Sequence, residues 1–445
     1  MTSDFTELSF LTLSVSSQPL VLFRACLGLI QAVYWIVNFQ KAVHYYSSSP
    51  FYIPYEWTRW IKPPGQRGIQ FVLGALIISS LLLAFGYWHP YPAWSCLLLY
   101  FYVFLWDRSL YNNHYYLICL FYFLMGLTNL DQAWIPYWQL GMFQFQFFIV
   151  YTFGAMNKIQ KDWLKRAQPT WHTLRHFEGT TRPSLFLHRY CPTPFSAKAA
   201  RFVLCRKSTA YFLNYTGLLF DLTIIPLLWF DITRLWAIPF FIGFHLFNQW
   251  WLYIEVFPIL NLAALVLFLD IGPSPSTLLP QNPSNTTELV ILTAFIAIQI
   301  LLPLRRLVGA LLFQRDLMSD HSWFFSWTMR LRASTGTTVF RLVDRRSNEV
   351  LARVQASQFL SPRQAACVDR SPHAAILFAK WLEGRLTQIG WKNFGIFVAC
   401  HININERGPR LMIDPEVDFT QEKVRYFGSY SWYKDQRPKA DHAPV

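Results

Sequence analysis

The sequence predicts a polytopic α-helical membrane protein that carries a C-terminal soluble α+β domain containing a small antiparallel sheet. Only 14% of the 445 residues are charged, whereas 53% are hydrophobic and 18% are aromatic. Soluble domains average roughly 25% charged residues, so this chain has too few charges to cover a water-exposed surface. Its apolar residues form long runs, which excludes a disordered or collagen-like chain. After residue 332 these runs give way to alternating apolar and polar residues.

Several apolar runs approach the length of a membrane-spanning helix. A bilayer core of about 30 Å requires about 20 largely apolar helical residues. The clearest runs are 18–39, 68–87 and 288–303. They indicate an integral, multi-pass membrane protein, with the lipid bilayer as a partner.

Two denser regions supply further spans. Residues 94–151 are predicted to form three successive helices, broken near Asp107 and Asp131. Residues 211–270 contain more apolar helices, and their prolines are expected at kinks or helix ends: Pro226, Pro239 and Pro258. In total the sequence predicts about eight or nine spans.

A basic connector covers residues 158–207. It holds eleven Lys or Arg residues against Asp162 and Glu178. The positive-inside rule predicts that this connector is cytoplasmic. A role in binding a substrate or lipid headgroups would also explain this cluster of basic residues.

The C-terminal part has the pattern of a small α+β domain. VFRLVD and EVLARV alternate around DRRSN, which predicts a hairpin, and GIFVACHIN and RLMID flank a second turn, ERGP. SPRQAACV and PHAAILFAKWLEGRLTQIG predict two helices. We therefore divide the chain into a membrane domain, 1–315, which includes the connector, and a soluble domain, 316–445.

The net charge of +14 does not indicate a nucleic-acid partner. The Lys and Arg residues lie in loops between apolar runs rather than along one solvated face. This distribution is typical of basic residues that lie beside a membrane. The seven cysteines form no CxxC pair, and neither His114 nor His245 has a His or acidic residue four positions later. No metal site is predicted.

Ionisable and amide side chains inside apolar spans are costly, and each is a candidate for function. Lys158 has two interpretations: a helix-end lysine that reaches the headgroups, or a buried amine that burial keeps neutral, so that it can accept a proton. His114 is either a core histidine or part of a site. Asn112 and Asn113 are either helix caps or ligands.

Three further polar residues lie in the later helices. Asp221, close to Pro226, is expected to pair with a membrane arginine, to bind the backbone or to serve a site. His245 and Asn248 are one helical turn apart and share a face. The residues alone thus predict a polar membrane pocket with an amine base and an imidazole, suited to proton chemistry on a lipophilic substrate or to proton-coupled transport.

Six stretches of the sequence resemble the vitamin K-dependent gamma-glutamyl carboxylase family, whose membrane part is the horizontally transferred transmembrane domain. They occur in the family's order and cover roughly residues 20–430. The stretches are FYVFLWDRSLYNNHYYL, FIVYTFGAMNKIQKDWL, YTGLLFDLTIIPLLWF, FFIGFHLFNQ, LLPLRRLV with HSWFFSWTMRLR, and LMIDPEVDF.

The resemblance implies a carbon–carbon bond-forming carboxylase. In that family a buried lysine deprotonates reduced vitamin K, oxygen converts the vitamin to a strong base, and this base removes a γ-proton from a peptidyl glutamate. Carbon dioxide then gives γ-carboxyglutamate, and vitamin K epoxide is the coupled product. No metal is required. The implied cosubstrates are vitamin K hydroquinone, O₂ and CO₂, and the implied partner is a glutamate-containing peptide or protein.

The resemblance also implies roles for residues of this chain. The base falls on Lys158, and His114 of the NNH motif acts with it. The quinone-binding residues are Tyr111, Asn112, Asn113, Asp221, His245 and Asn248. Arg330 and Arg332 are expected either to pair with the substrate glutamate or to anchor the chain beside the membrane. A quinol epoxidase or oxidase without carboxylation, and a non-enzymatic transporter or scaffold, stay open as alternatives.

Overall fold

The computed structural model describes residues 13–175, 206–249, 256–272, 286–313, 324–329, 331–424 and 430–434. The long helices of the membrane part are α1 (Gln18–Ser48), α2 (Gln66–Phe85), α3 (Tyr91–Phe104), α4 (Asn113–Gly126), α5 (Tyr137–Lys158), α8 (Lys207–Trp229), α9 (Asp231–Phe247), α10 (Phe257–Ala264) and α11 (Thr286–Phe313). Two short helices, α6 (Lys161–Arg166) and α7 (Thr170–Arg175), follow α5. Leu, Phe and Trp side chains from these helices form one buried apolar core.

Four of the described helices are long and apolar enough to cross a membrane: α1, α2, α8 and the 289–309 part of α11. Residues 91–104 and 257–268 form shorter apolar helices. At a rise of 1.5 Å per residue, the 14 residues of α3 extend only about 21 Å. Helix α5 has 22 residues but contains three buried glutamines, Gln139, Gln144 and Gln146. The protein is a multi-pass membrane protein, and the total of eight or nine spans stays a prediction.

The predicted breaks in residues 94–151 are confirmed. Helix α3 ends at Phe104 and α4 begins at Asn113, and a second interruption separates α4 from α5. A short strand in that interruption, β2 (Trp134–Pro136), pairs antiparallel with β1 (Ser14–Ser16). Pro258 lies at the start of α10, whereas Pro226 and Pro239 lie inside α8 and α9 rather than at helix ends.

Exposed aromatic side chains occur at both ends of α2. Trp57 and Trp60 precede it, and Trp88 and Tyr91 follow it, with Trp60 79% and Tyr91 74% exposed. Trp and Tyr collect at the two membrane–water interfaces because one part of each ring system is apolar and another is polar. Helix α2 has 20 residues and spans about 30 Å, which matches the hydrocarbon core.

The soluble domain has a four-stranded antiparallel sheet, as predicted. Its order is β4-β3-β5-β6, and the strands are β3 (Ser334–Asp344), β4 (Val350–Val354), β5 (Phe394–Ile404) and β6 (Pro409–Leu411). Strands β3 and β5 pair over their whole length, from Ser334 opposite Ile404 to Asp344 opposite Phe394. Both predicted helices are present, α12 (Pro362–Val368) and α13 (Pro372–Gln388). Phe378 of α13 packs edge-on against Phe340 of β3, 5.0 Å between ring centroids, inside a second apolar core.

One polar contact between the two domains centres on Asp107 in the loop before α4. Gln364 of α12 donates to Asp107 Oδ2 at 2.8 Å and to the carbonyl of Phe51 at 2.8 Å. Tyr45 and the amide of Ser109 also donate to the carboxylate. Burial raises the pKa of Asp107 above its ordinary value, although these hydrogen bonds oppose the shift.

Candidate functional site

A cavity of about 800 Å³ lies where the membrane helices meet the soluble domain. Its walls come from the start of α4, the end of α5, helices α6 and α7, helix α8, the end of α9, the start of α10, and four residues before β3: Thr328, Met329, Arg332 and Ala333. Eight of the predicted site residues line it: Tyr111, Asn112, Asn113, His114, Lys158, Asp221, Asn248 and Arg332. Apolar side chains complete much of the wall: Phe212, Leu213, Phe244, Phe247, Phe257 and Met329. The fold therefore gathers polar residues from distant parts of the sequence in one largely apolar space.

Lys158 and Asp221 form a buried ion pair in this cavity. Lys158 is the last residue of α5, and its Nζ lies 2.5 Å from Asp221 Oδ2 of α8. The Lys158 side chain is buried, and the described partner of Asp221 is a lysine rather than an arginine or the backbone. Two buried charges offset each other's desolvation cost when they are paired, so the pair keeps both groups in an apolar wall.

Two neighbours shape this pair. Gly154 lies one helical turn before Lys158, and a Cβ there would stand 3.2 Å from Asp221 Oδ2. The missing side chain lets α8 bring its carboxylate close to α5. The ring of Trp163 lies 5.3 Å from Lys158 Nζ, within the range of a cation–π contact. Trp163 also donates its Nε1 hydrogen to the Asn214 carbonyl at 3.1 Å, which fixes the ring against α8.

The NNH motif forms the opposite polar part of the cavity, and its residues have distinct local tasks. Asn112 caps α4, because its Oδ1 accepts from the amide of His114 at 3.1 Å. Tyr111 donates its hydroxyl hydrogen to Asn113 Oδ1 at 2.8 Å and accepts from the amide of Phe325 at 2.6 Å. With its oxygen occupied by Tyr111, the Asn113 amide presents its Nδ2 hydrogens as donors.

His114 is buried and lines the cavity beside Asn113. Its ring stacks on Phe257 at the start of α10, with 4.3 Å between centroids and 21° between planes. This contact fixes the plane of the imidazole. Asn248 lies just past the end of α9 and lines the same cavity.

His245 lies behind the wall rather than in it. Although it is one turn from Asn248, it is fully buried among phenylalanines and does not line the cavity. Its Nε2 is 2.7 Å from the hydroxyl of Tyr151, which donates to Asn261 Oδ1 at 2.8 Å. Tyr151 itself does line the cavity. His245 thus adjoins the cavity through Tyr151, and its role as a quinone-binding residue stays a prediction.

The structure describes one of the two arginines predicted to bind the substrate. Arg332 lines the cavity, and its Nη2 donates to the carbonyl of Arg370 in the soluble domain at 3.2 Å. Arg330 lies outside the described residues. So does most of the basic connector, from residue 176 to residue 205.

Sequence reasoning missed two contributors to the site. Tyr151 and Gly154 precede Lys158 by seven and four positions, so they share its face of α5, and helical periodicity was the signal for them. Asn157, a polar residue inside the same apolar span, lies beside Lys158 and does not line the cavity. Its Oδ1 accepts from the buried Arg306 of α11, and its Nδ2 donates to the Ser326 carbonyl at 2.7 Å. A buried arginine needs such partners, so the pair RR in LLPLRRLV was a signal for this contact.

Among the described residues no group of three or more His, Cys, Asp or Glu side chains could hold a metal ion. The polar groups that line the cavity include an amine–carboxylate pair, an imidazole, asparagine amides and an arginine. Together with the membrane helices, these groups define a multi-pass membrane protein with a polar pocket where the membrane helices meet the soluble domain.

Comparison with known families agrees with this description. The HTTM domain matches residues 14–272, more than half of the chain. The lumenal domain of vitamin K-dependent gamma-carboxylase matches residues 284–438. The chain belongs to the vitamin K-dependent gamma-glutamyl carboxylase family. No solved structure matches it.

The first match ends at residue 272, and the second begins at residue 284. Helix α11 thus falls in the second match, although its composition resembles the membrane part. The division between 315 and 316 stays a prediction.

Proposed function

We propose that this chain is a membrane carboxylase that couples the oxygenation of reduced vitamin K to its epoxide with the carboxylation of peptidyl glutamate to γ-carboxyglutamate. One observation carries the proposal. Lys158, to which the family resemblance assigns the base, pairs with Asp221 and lines the same cavity as Asn113 and His114, to which the resemblance assigns the quinone clamp.

The residues present fit a quinone with a prenyl tail. Cavities of about 300–1,000 Å³ with apolar walls and a few convergent polar groups typically bind ligands of this size, and this cavity measures about 800 Å³. Helix α8, which contributes Phe212 and Leu213 to the wall, also meets the criteria for a membrane span. A lipophilic substrate is therefore concentrated where the cavity lies.

Lys158 and Asp221 can hold one proton between them. When the proton lies on Asp221, the Lys158 Nζ has a lone pair and the pair is uncharged. Transfer of a hydroxyl proton from the hydroquinone to Nζ then produces a cation beside the new anion, so no unpaired charge is left in the apolar wall. This arrangement suits a general base that must work without water.

Asn113 and His114 orient the hydroquinone in this proposal. Asn113 donates from Nδ2 to a quinol oxygen, because Tyr111 already occupies its Oδ1. His114 presents the edge of a ring held by Phe257. Tyr111 acts by positioning Asn113, and His245 acts by positioning Tyr151.

When bound, reduced vitamin K and oxygen supply the strong base that removes the γ-proton of glutamate, and CO₂ adds to the resulting carbanion. The protein excludes water, which would quench that base. Phe244, Phe247 and Phe257 provide an apolar wall for this purpose. Arg332 enters the cavity from the soluble domain and pairs with the peptide carboxylate.

The test is an assay of the purified protein with reduced vitamin K, oxygen, labelled bicarbonate and a short glutamate peptide. Epoxide and peptide label are measured separately. Both products support the carboxylase. Epoxide without label overturns carboxylation and leaves a quinol epoxidase, whereas no quinol turnover together with substrate flux in vesicles overturns the enzyme in favour of a transporter.

A further inference from the structure

The turn between β5 and β6 joins the soluble domain to the membrane domain at the edge of the cavity. Asn405, Glu406 and Gly408 adopt positive φ angles of 51°, 58° and 91°, which turn the chain sharply after Ile404. Three consecutive side chains, those of Asn405, Glu406 and Arg407, thereby reach residues that follow α5. We call residues 405–408 the interdomain turn.

On the membrane side, the interdomain turn binds Asp162 of α6. Arg407 Nη2 lies 2.8 Å from Asp162 Oδ2, and Asn405 Nδ2 donates to the same oxygen at 2.9 Å. Asp162 is only 2% exposed, so its carboxylate is shielded from solvent. Breaking this ion pair should therefore cost more free energy than breaking an ion pair on the surface. A second contact lies beside it, because Gln168 donates to Glu406 Oε2 at 2.8 Å.

Asp162 lies between two parts of the candidate site. It precedes Trp163, whose ring lies 5.3 Å from Lys158 Nζ, and it follows Lys158 by four residues. The stretch after it supplies Pro169 and Thr170 to the cavity wall. The interdomain turn thus holds the wall that contains the base.

On the soluble side, Asn405 holds the segment that contains Arg332. Its backbone amide donates to the Ala333 carbonyl at 2.8 Å, and its Oδ1 accepts from the Ala333 amide at 2.9 Å. Its Nδ2 donates to the Leu331 carbonyl at 3.1 Å. Both neighbours of Arg332 are therefore fixed to Asn405, which also binds Asp162.

We propose that the interdomain turn is a positioning element that couples the two halves of the reaction. It holds the Lys158 wall and Arg332 at a fixed separation, so that a glutamate bound at Arg332 lies within reach of the base formed in the membrane cavity. This inference rests on the proposed function. Asp162, Asn405 and Arg407 are positioning residues because they act through Lys158, Trp163 and Arg332.

A contact that only attaches the domain would have a different consequence. Its loss would lower epoxide and carboxyglutamate formation together. A coupling element, when weakened, lets the quinol reaction proceed while the glutamate is displaced. The ratio of the two products therefore separates the two roles.

The experiment compares the full-length variants Arg407→Gln and Asp162→Asn with the wild type. Displacement of reacting groups by about 1 Å can cost up to about 100-fold in rate, so we expect carboxyglutamate to fall by about tenfold or more while epoxide falls much less. The KM for the peptide should rise and the KM for the quinol should change little. Arg407→Lys keeps the charge and should restore part of the coupling.

Arg345→Gln is the matched control. It removes the same charge and breaks a similar ion pair, Arg345 to Asp418 at 2.9 Å, within the soluble domain. Its product ratio should equal that of the wild type. An unchanged ratio in both Arg407→Gln and Asp162→Asn would overturn the inference, and so would an equal change in Arg345→Gln.

Hydrogen exchange distinguishes failure of this inference from failure of the proposed function. If the wild type forms neither product, the carboxylase proposal is wrong, but amides 162–174 should still exchange faster in Arg407→Gln than in Arg345→Gln. Equal exchange in these two variants would show that the interdomain turn does not position the wall, whatever reaction the protein performs.

Discussion

Lys158 and Asp221 face each other across the helix interface of α5 and α8, with 2.5 Å between Nζ and Oδ2. Neither residue has another described charged group at ion-pair distance. Loss of either partner is therefore expected to affect both activity and the stability of the membrane domain, and mutation can separate these two effects.

Asp221→Asn should nearly abolish quinol oxidation and destabilise the protein. Breaking a buried ion pair by removing one partner costs about 3–5 kcal/mol, because the other charge is left uncompensated. The double variant Lys158→Met with Asp221→Leu replaces the pair by apolar side chains, so stability should recover while activity stays absent. Thermal unfolding and epoxide formation are measured on the same samples. Recovery of activity in the double variant would show that the pair is purely structural.

Gly154→Ala should lower activity although alanine favours helices. An alanine Cβ would lie 3.2 Å from Asp221 Oδ2 and 3.4 Å from the Met329 methyl group, so the carboxylate must move away from Lys158. Alanine normally stabilises a helix interior by about 1 kcal/mol relative to glycine. Loss of activity without loss of stability would therefore show that the substitution acts on the Lys158–Asp221 pair. Gly243→Ala is the control, since nothing lies within 4 Å of its added Cβ. Equal activity in the two variants would contradict the role assigned to Gly154.

Asn113→Ala should raise the KM for the hydroquinone by about tenfold, because the loss of one hydrogen bond worth about 1.4 kcal/mol weakens binding by that factor. Tyr111→Phe should have a smaller effect in the same direction, because it frees Asn113 Oδ1 but leaves Nδ2 in place. Tyr115→Phe is a matched control, as Tyr115 bonds to Tyr34, 3.1 Å between hydroxyl oxygens, and does not line the cavity. If the KM for the quinol is the same in all three variants, the quinone clamp lies elsewhere.

Asp418 makes the stability of the soluble domain depend on pH. Partial burial alone raises the pKa of Asp418, but hydrogen bonds from Thr420, from the Ile396 amide and from Arg345 outweigh it and hold the pKa below its ordinary value. The unfolded carboxyl has a pKa of about 3.9, so its stabilising contribution is complete above that pH and is lost as pH falls through the lower folded value.

The measurement for Asp418 is the unfolding midpoint of the wild type and of Asp418→Asn between about pH 7 and pH 2. The variant should be less stable near neutral pH, and the difference should shrink below about pH 4. A difference that grows on acidification would contradict the lowered pKa.

Local sequence signals predicted the secondary structure of the soluble domain well. The turn residues DRRSN and the alternation beside them lead to the β3–β4 hairpin, and Ser371 caps α13, since its side chain accepts from the Ala374 amide. Both signals act within a few residues. The distribution of membrane spans was harder to predict, because α5 buries glutamines against other helices rather than in lipid.

Eight of the predicted residues line one cavity, but the contacts between them were not predicted. Lys158, His114 and Asn113 were identified through local motifs, whereas Asp221 was assigned other partners, because the approach of α8 to Gly154 is a tertiary contact. His245 and Asn248 share a helical face, yet only Asn248 lines the cavity. A hydrogen bond through Tyr151 cannot be derived from spacing along α9.

The placement of the basic connector shows a further limit. Its described part, α6 and α7, contacts the interdomain turn, so it lies on the same side as the soluble domain. The matching family model is described as a lumenal domain, and the cytoplasmic location that the positive-inside rule predicts for the connector stays a prediction. Part of its charge has another explanation, because Arg166 lies near the buried Asp162, 3.7 Å between Nη1 and Oδ1.

The most direct test of the central claim is the two-product assay with Lys158→Ala, with Lys165→Ala as the control for an exposed lysine of the same connector. We expect Lys158→Ala, like Asp221→Asn, to be less stable than the wild type because it leaves one buried charge uncompensated, but to remain folded at the assay temperature and to lose both epoxide and peptide label. A small primary amine added to the assay should restore part of the epoxide, because it can occupy the space left by the side chain and accept the quinol proton. Normal epoxide formation in Lys158→Ala without added amine would contradict the assignment of Lys158 as the base.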